Sequence, residues 1–99
     1  MESLAKFTAE ISFLSPERGG RRMPVHSGYR PRFYFGERQS DGDMQFESSS
    51  PVSPGQVVRA AVRLLNPDVL GQEVGEGAAF QIKEGDRLVA SGVILAVLP

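Results

Sequence analysis

Six arginines crowd one short stretch of this chain. Arg18, Arg21, Arg22, Arg30, Arg32 and Arg38 fall within twenty-one residues whose only acid is Glu37. Nine of the eleven basic residues in the whole chain are arginine, the side chain whose planar fork grips phosphate through parallel hydrogen bonds. Arg30, Arg32 and Tyr34 alternate along a strand-like segment, which places two cations and an aromatic ring on one face. Such a surface suits nucleic acid. The same residues suit a solvated strand face whose arginines pair with acids elsewhere, and residue type alone leaves both readings open.

Other chemistry finds little support. There is one histidine, His26, and no cysteine, so Cys–His nucleophiles and the usual zinc sites are excluded. Composition permits a Ser–His–acid arrangement, but no Gly-x-Ser-x-Gly elbow is present. His26 therefore reads as a loop or barrel-rim residue. Asp41, Asp43 and Glu47 form one acidic group and Asp68, Glu73 and Glu76 another. Neither has the spacing of an EF-hand loop, and both read as solvated loops. The pattern Gly-x-x-x-x-Gly-Lys-[Ser/Thr] is missing, so no nucleotide and no other cofactor is expected. An enzyme is not the expected class.

Ninety-nine residues make one domain, spanning 1–99, because a second independent core would not fit. The formal net charge of −1 gives the molecule as a whole no electrostatic reason to seek polyanions. Attraction to nucleic acid must come from how the charges are arranged. A cysteine-free chain suits a reducing cytoplasm. Met1 to Lys6 has no apolar run after a basic region, so it does not read as a signal peptide, and no segment has the length of apolar sequence needed to cross a bilayer. A cytoplasmic domain with no membrane partner is expected.

The elements that must position the arginines are strands, since the dominant period is two. Phe7, Ala9, Ile11 and Phe13 share one face of a strand over Lys6–Leu14, and Phe33 and Phe35 share one face over Arg30–Phe35. Pro31 sits at the start of that second strand, where its missing N–H does little harm. Gln56–Leu65 turns Val58, Ala60, Val62 and Leu64 inward, and Ala79–Lys83 does the same with Phe80 and Ile82. Arg87–Leu98 is a β-branched run in which Gly92 marks a bend or bulge. A short, weak strand is expected around Met44–Glu47. Turn chemistry punctuates the chain at Arg18-Gly19-Gly20-Arg21, Pro54-Gly55 and Glu84-Gly85-Asp86-Arg87. Ser48 to Pro54 reads as an exposed, flexible loop. Nothing forms a convincing amphipathic helix. The class is all-β, and five or six short strands imply a sandwich or a closed barrel.

Three stretches carry a resemblance to a known family. Lys6-Phe7-Thr8-Ala9-Glu10-Ile11, Gly19-Gly20-Arg21 and Gly28-Tyr29-Arg30-Pro31-Arg32-Phe33-Tyr34-Phe35 resemble the opening of the third domain of bacterial elongation factor Tu. The family pattern there is K-F-x-A-E-V, G-G-R-H-x-P and G-Y-R-P-Q-F-Y-F. Pro54-Gly55, Leu65-Asn66-Pro67 and the run Phe80 to Val93 continue the resemblance in order, so it covers essentially the whole chain. It implies a single closed six-stranded antiparallel β-barrel without catalytic activity. In the family this barrel contacts the T-stem backbone of aminoacyl-tRNA and offers surface to the exchange factor Ts. Carried over by position, Arg21 keeps the arginine of the Gly-Gly-Arg turn and Arg22 replaces a histidine. Arg32 replaces a glutamine, Lys83 replaces an arginine, and Glu84 retains a glutamate. With Arg30, these are the candidate nucleic-acid-binding residues.

The chain also departs from the family. After Phe35 the family reads R-T-T-D-V-T-G, whereas this chain reads Gly36-Glu37-Arg38-Gln39-Ser40-Asp41-Gly42. Asp41 falls near a threonine that helps contact the T-stem, and an acid facing phosphate is unfavourable. The loop from Asn66 to Ala79 is longer and acidic. The segment before Lys6 does not resemble the family's interdomain linker, so a stand-alone product is expected, one without a GTPase domain. Two readings follow. The first is a module contacting structured, tRNA-like RNA through Arg21, Arg22, Arg30, Arg32 and Lys83. The second is a protein-interaction module that docks on a translation factor or self-associates, for which the Gly36–Gly42 stretch supplies a remodelled face. Convergence of the cations on one exposed patch favours RNA, and their pairing with Glu37, Asp41 or Glu84 favours protein.

Overall fold

The alternation near the start of the chain becomes β1, Ala5–Phe13, with Phe7, Ala9, Ile11 and Phe13 all buried. A computed structural model describes residues 5–70 and 74–99. Five more strands follow: β2 Arg32–Phe35, β3 Arg38–Phe46, β4 Val57–Leu64, β5 Ala79–Glu84 and β6 Arg87–Val97. They close in the order β1-β4-β3-β2-β5-β6, and every neighbouring pair is antiparallel. The protein is a closed six-stranded antiparallel β-barrel. Closure gives every strand two hydrogen-bonded neighbours and leaves no edge. Among the described residues the only helical elements are two single 3-10 turns, Pro16–Arg18 and Pro67–Val69, and no helix is long and apolar enough to cross a membrane.

Four phenylalanines meet at the centre. Phe80 lies 5.3 Å from Phe35, 5.7 Å from Phe7 and 5.8 Å from Phe33 between ring centroids, within the range where tilted and edge-on pairs attract. The barrel admits this cluster because Gly92, paired with Phe80 across β5 and β6, leaves space for the ring. A Cβ at Gly92 would lie 2.5 Å from Phe80 Cζ. Gly92 is therefore a packing position. The bulges lie elsewhere: Leu95 interrupts the register with β1 between Thr8 and Ala9, and Val89 interrupts that with β5 between Ile82 and Lys83.

β3 corrects the sequence reading most. Only Met44–Glu47 was expected to be extended there, and Asp41 and Asp43 were expected in a solvated loop. The strand instead runs from Arg38, opened by a two-residue connection in which Gly36 adopts φ 65°. Its inward row is Ser40, Gly42, Met44 and Phe46. A Cβ at Gly42 would lie 2.7 Å from the Arg63 carbonyl and 3.0 Å from the Phe33 ring, so a neighbouring strand fills that space. Asp43 is buried, and Arg63 Nη2 donates to its Oδ2 at 2.6 Å. A buried carboxylate needs such a partner. Arg30 also lies outside β2, which begins at Arg32 after a buried Pro31.

Of residues 48–54, Val52 alone is buried, and it exchanges two backbone hydrogen bonds with Val25 at 2.8 and 2.9 Å. The remainder of the loop lies at the surface. Met1 to Leu4 lie outside the described residues, as does Glu73 of the second acidic group. His26 is exposed between the 3-10 turn and β2. Among the described residues no three His, Cys, Asp or Glu side chains are grouped to hold a metal ion.

Candidate nucleic-acid interface

Register brings the cations together. Arg32 on β2 stands beside Lys83 on β5 and Asp41 on β3, while Tyr34 stands beside Gln81 and Gln39. Lys83 Nζ lies 4.9 Å from the Tyr34 ring centroid, a cation–π contact that holds the ammonium over the strand face. Arg30, Arg32, Tyr34, Lys83 and Glu84 border one shallow depression of about 430 Å³, with Tyr29 at its side. Arg30 and Arg32 thus converge although only one of them lies in the strand.

A second cluster ties the long N-terminal connection to β5. Glu84 accepts a hydrogen bond from the Tyr29 hydroxyl and an ion pair from Arg21 Nε at 3.1 Å. The Arg21 guanidinium also lies 5.3 Å from the Tyr29 ring centroid. Burial first, then the hydrogen bond to Glu84 and its negative charge, raise the Tyr29 phenol above its ordinary pKa. Glu84 therefore anchors Arg21 and Tyr29, and the Arg21 side chain is only 24% exposed. Arg22 beside it is exposed.

Pairing accompanies convergence. Arg32 Nε donates to Asp41 Oδ1 at 3.0 Å, and its Nη1 donates to Gln39 Oε1 at 3.1 Å. The hydrogen bond to Asp41, then that group's charge, raise the Arg32 pKa above its ordinary value. Side-chain exposures of 50% and 57% leave this pair open to solvent and to competing phosphate. Among the described residues Arg22 and Arg30 have no ion-pair partner. Four cations (Arg21, Arg30, Arg32 and Lys83) lie with two carboxylates, Asp41 and Glu84, so the balance there is positive, and among the described residues no contact ties the exposed Arg22 to them.

The family model of the elongation factor Tu C-terminal domain matches residues 1–98. The chain belongs to that family. On this barrel of the elongation factor Tu C-terminal domain type, two residues outside the candidate set shape the site. Tyr29 carries Arg21 on its ring, and Gln39 shares Arg32 with Asp41. Tyr29 stands within the Gly28-Tyr29-Arg30-Pro31 stretch and was discernible there as a polar-tipped aromatic beside the arginines. Gln39 was discernible only through the register of the Gly36-Glu37 connection.

Proposed function

We propose that the barrel is a non-catalytic binding module, cytoplasmic and without GTPase activity of its own. Its Arg22, Arg30, Arg32 and Lys83 face lies against the phosphate backbone of a structured, tRNA-like RNA. Arg21 and Glu84 frame that face. The observation that carries this reading is the shared depression, where Arg30, Arg32 and Tyr34 from one segment meet Lys83 from another, distant in the chain. Arginine forks held in place by Asp41 and Gln39 lose less freedom when a phosphate arrives. The Asp41 and Glu84 carboxylates repel phosphate, so the contact is weak and salt-sensitive.

Two substitutions on this face move RNA affinity in opposite directions. Arg30→Ala removes an unpaired cation, and the affinity for tRNA is expected to fall about 3- to 10-fold at low salt. Asp41→Asn removes the nearest repelling charge, and the affinity is expected to rise about 2- to 5-fold. Fluorescence anisotropy with labelled tRNA reads both. If Asp41→Asn leaves affinity unchanged or weakens it, the RNA does not lie on this face. A second reading, docking on a translation factor protein, draws on the ion pairs themselves, because Arg21 and Arg32 already engage carboxylates.

A further inference from the structure

Beside the arginine depression lies a second hollow, of about 450 Å³, with different chemistry. Tyr34 borders both. Register carries an outward row from that residue around the barrel. Tyr34 on β2 stands beside Gln81 on β5, Gln81 beside Ser91 on β6, and Ser91 beside Ser12 on β1. All four border the hollow, which the small side chains of Ser12, Ser91 and Ala79 leave open. The row lies two residues along β2 and β5 from Arg32 and Lys83, a step of about 7 Å.

Among the described residues no cation borders this hollow, and Glu10 is its only charged side chain. Register sets that carboxylate beside Arg59 on β4. A phosphate finds no countercharge there. What the row offers is neutral hydrogen bonding, since a serine hydroxyl and a glutamine amide each donate and accept. Among the described residues the side chains of Ser12, Gln81 and Ser91 make no hydrogen bond within the barrel. Gln81 and Ser91 are exposed and Ser12 is half-buried, so all three are open to a ligand.

The ribose 2′-hydroxyl has the matching chemistry. It also donates and accepts, and A-form RNA displays it along a wide, shallow minor groove. We propose that Ser12, Gln81 and Ser91 form a ribose-reading site, which takes 2′-hydroxyls of an RNA whose phosphates lie on Arg30, Arg32 and Lys83. The site rests on the RNA reading of the arginine face and deepens it. The cations attract any polyanion, and the neutral row supplies the preference for RNA over DNA, because the 2′-hydroxyl is what separates the two.

Fluorescence anisotropy with a labelled RNA duplex, and with the same duplex carrying 2′-O-methyl riboses, tests the site. Methylation keeps the phosphates and the A-form shape but removes the hydroxyl proton. The protein is expected to bind the methylated duplex about 3- to 10-fold more weakly, the range of a lost hydrogen bond. Gln81→Ala, and Ser12→Ala combined with Ser91→Ala, should each weaken binding of the unmodified duplex by about 3-fold or more. Both should also narrow the gap between the duplexes. Their slope of log affinity against log salt should match the parent's, because neutral contacts release no counterions. Arg30→Ala should instead lower the slope and leave the gap. Unchanged affinity in the row variants, or equal losses on both duplexes, overturns the ribose site and leaves the arginine face standing. A barrel that binds neither duplex at low salt overturns both. Row variants that keep RNA affinity but lose binding to a purified translation elongation factor assign the row to protein and overturn the ribose site.

Discussion

Phe7→Ala is expected to remove about 3–5 kcal/mol of folding stability, the usual cost of truncating a fully buried aromatic. The ring is completely inaccessible and packs edge-on against both Phe35 and Phe80. Its loss therefore takes away burial and aromatic contacts together, and the closed barrel limits how far the walls can collapse into the space. Domains of this size have a total stability of about 5–15 kcal/mol, so the variant should be partly unfolded at moderate temperature. Urea denaturation reads the effect as a lowered midpoint with an unchanged slope. Lys6→Ala, one residue earlier and on the outward face, should stay within about 0.5 kcal/mol of the parent. Similar losses for both variants would mean that the β1 alternation does not set inside from outside.

Gly92→Ala is the second large effect, expected at about 2–3 kcal/mol through overpacking. An added methyl would lie 2.5 Å from Phe80 Cζ and 2.9 Å from the Glu10 carbonyl oxygen. The Phe80 ring cannot swing away cheaply, since Phe7, Phe33 and Phe35 surround it. Shortening the obstacle should help: in a Phe80→Leu background the cost of Gly92→Ala should fall by at least about 1 kcal/mol, a coupling of the size expected for touching residues. Strict additivity in that cycle would show that the glycine serves backbone geometry and not the ring.

How far the sequence disclosed this barrel differs from strand to strand. Phe7, Ala9, Ile11 and Phe13 announce β1 because large apolar side chains alternate with polar ones. β3 hides because its inward row begins with Ser40 and Gly42, whose space is taken by Phe33 and by the β4 backbone. Its first half shows no apolar period at all. The signal that was present lay in the turns: Phe35-Gly36-Glu37-Arg38 has the same glycine-first form as Glu84-Gly85-Asp86-Arg87, and both glycines adopt positive φ. Reading the first as a hairpin fixes Phe35 opposite Arg38, and counting back places Arg32 opposite Asp41.

The candidate site divides in the same way. Arginine enrichment was legible from residue types, and the alternation of Phe33 with Arg32 and Tyr34 gave their face. The partners of those arginines were not legible. Arg21 meets Glu84 at a sequence separation of more than sixty residues, and only barrel closure brings them within 3.1 Å. Asp43 reads as a solvated acid until β4 sets Arg63 beside it.

The most direct test of the binding-barrel reading is equilibrium titration of labelled tRNA with the protein at about 50 and about 200 mM monovalent salt. With Arg22 counted in the proposed face, a net excess of about three cations corresponds to a slope near −3 in log affinity against log salt, or a loss of about 30- to 100-fold between the two conditions. That loss, reduced in Arg32→Ala, is the predicted result. Absence of binding at the lower salt, or an affinity that salt does not change, would contradict an RNA-contacting role for this face.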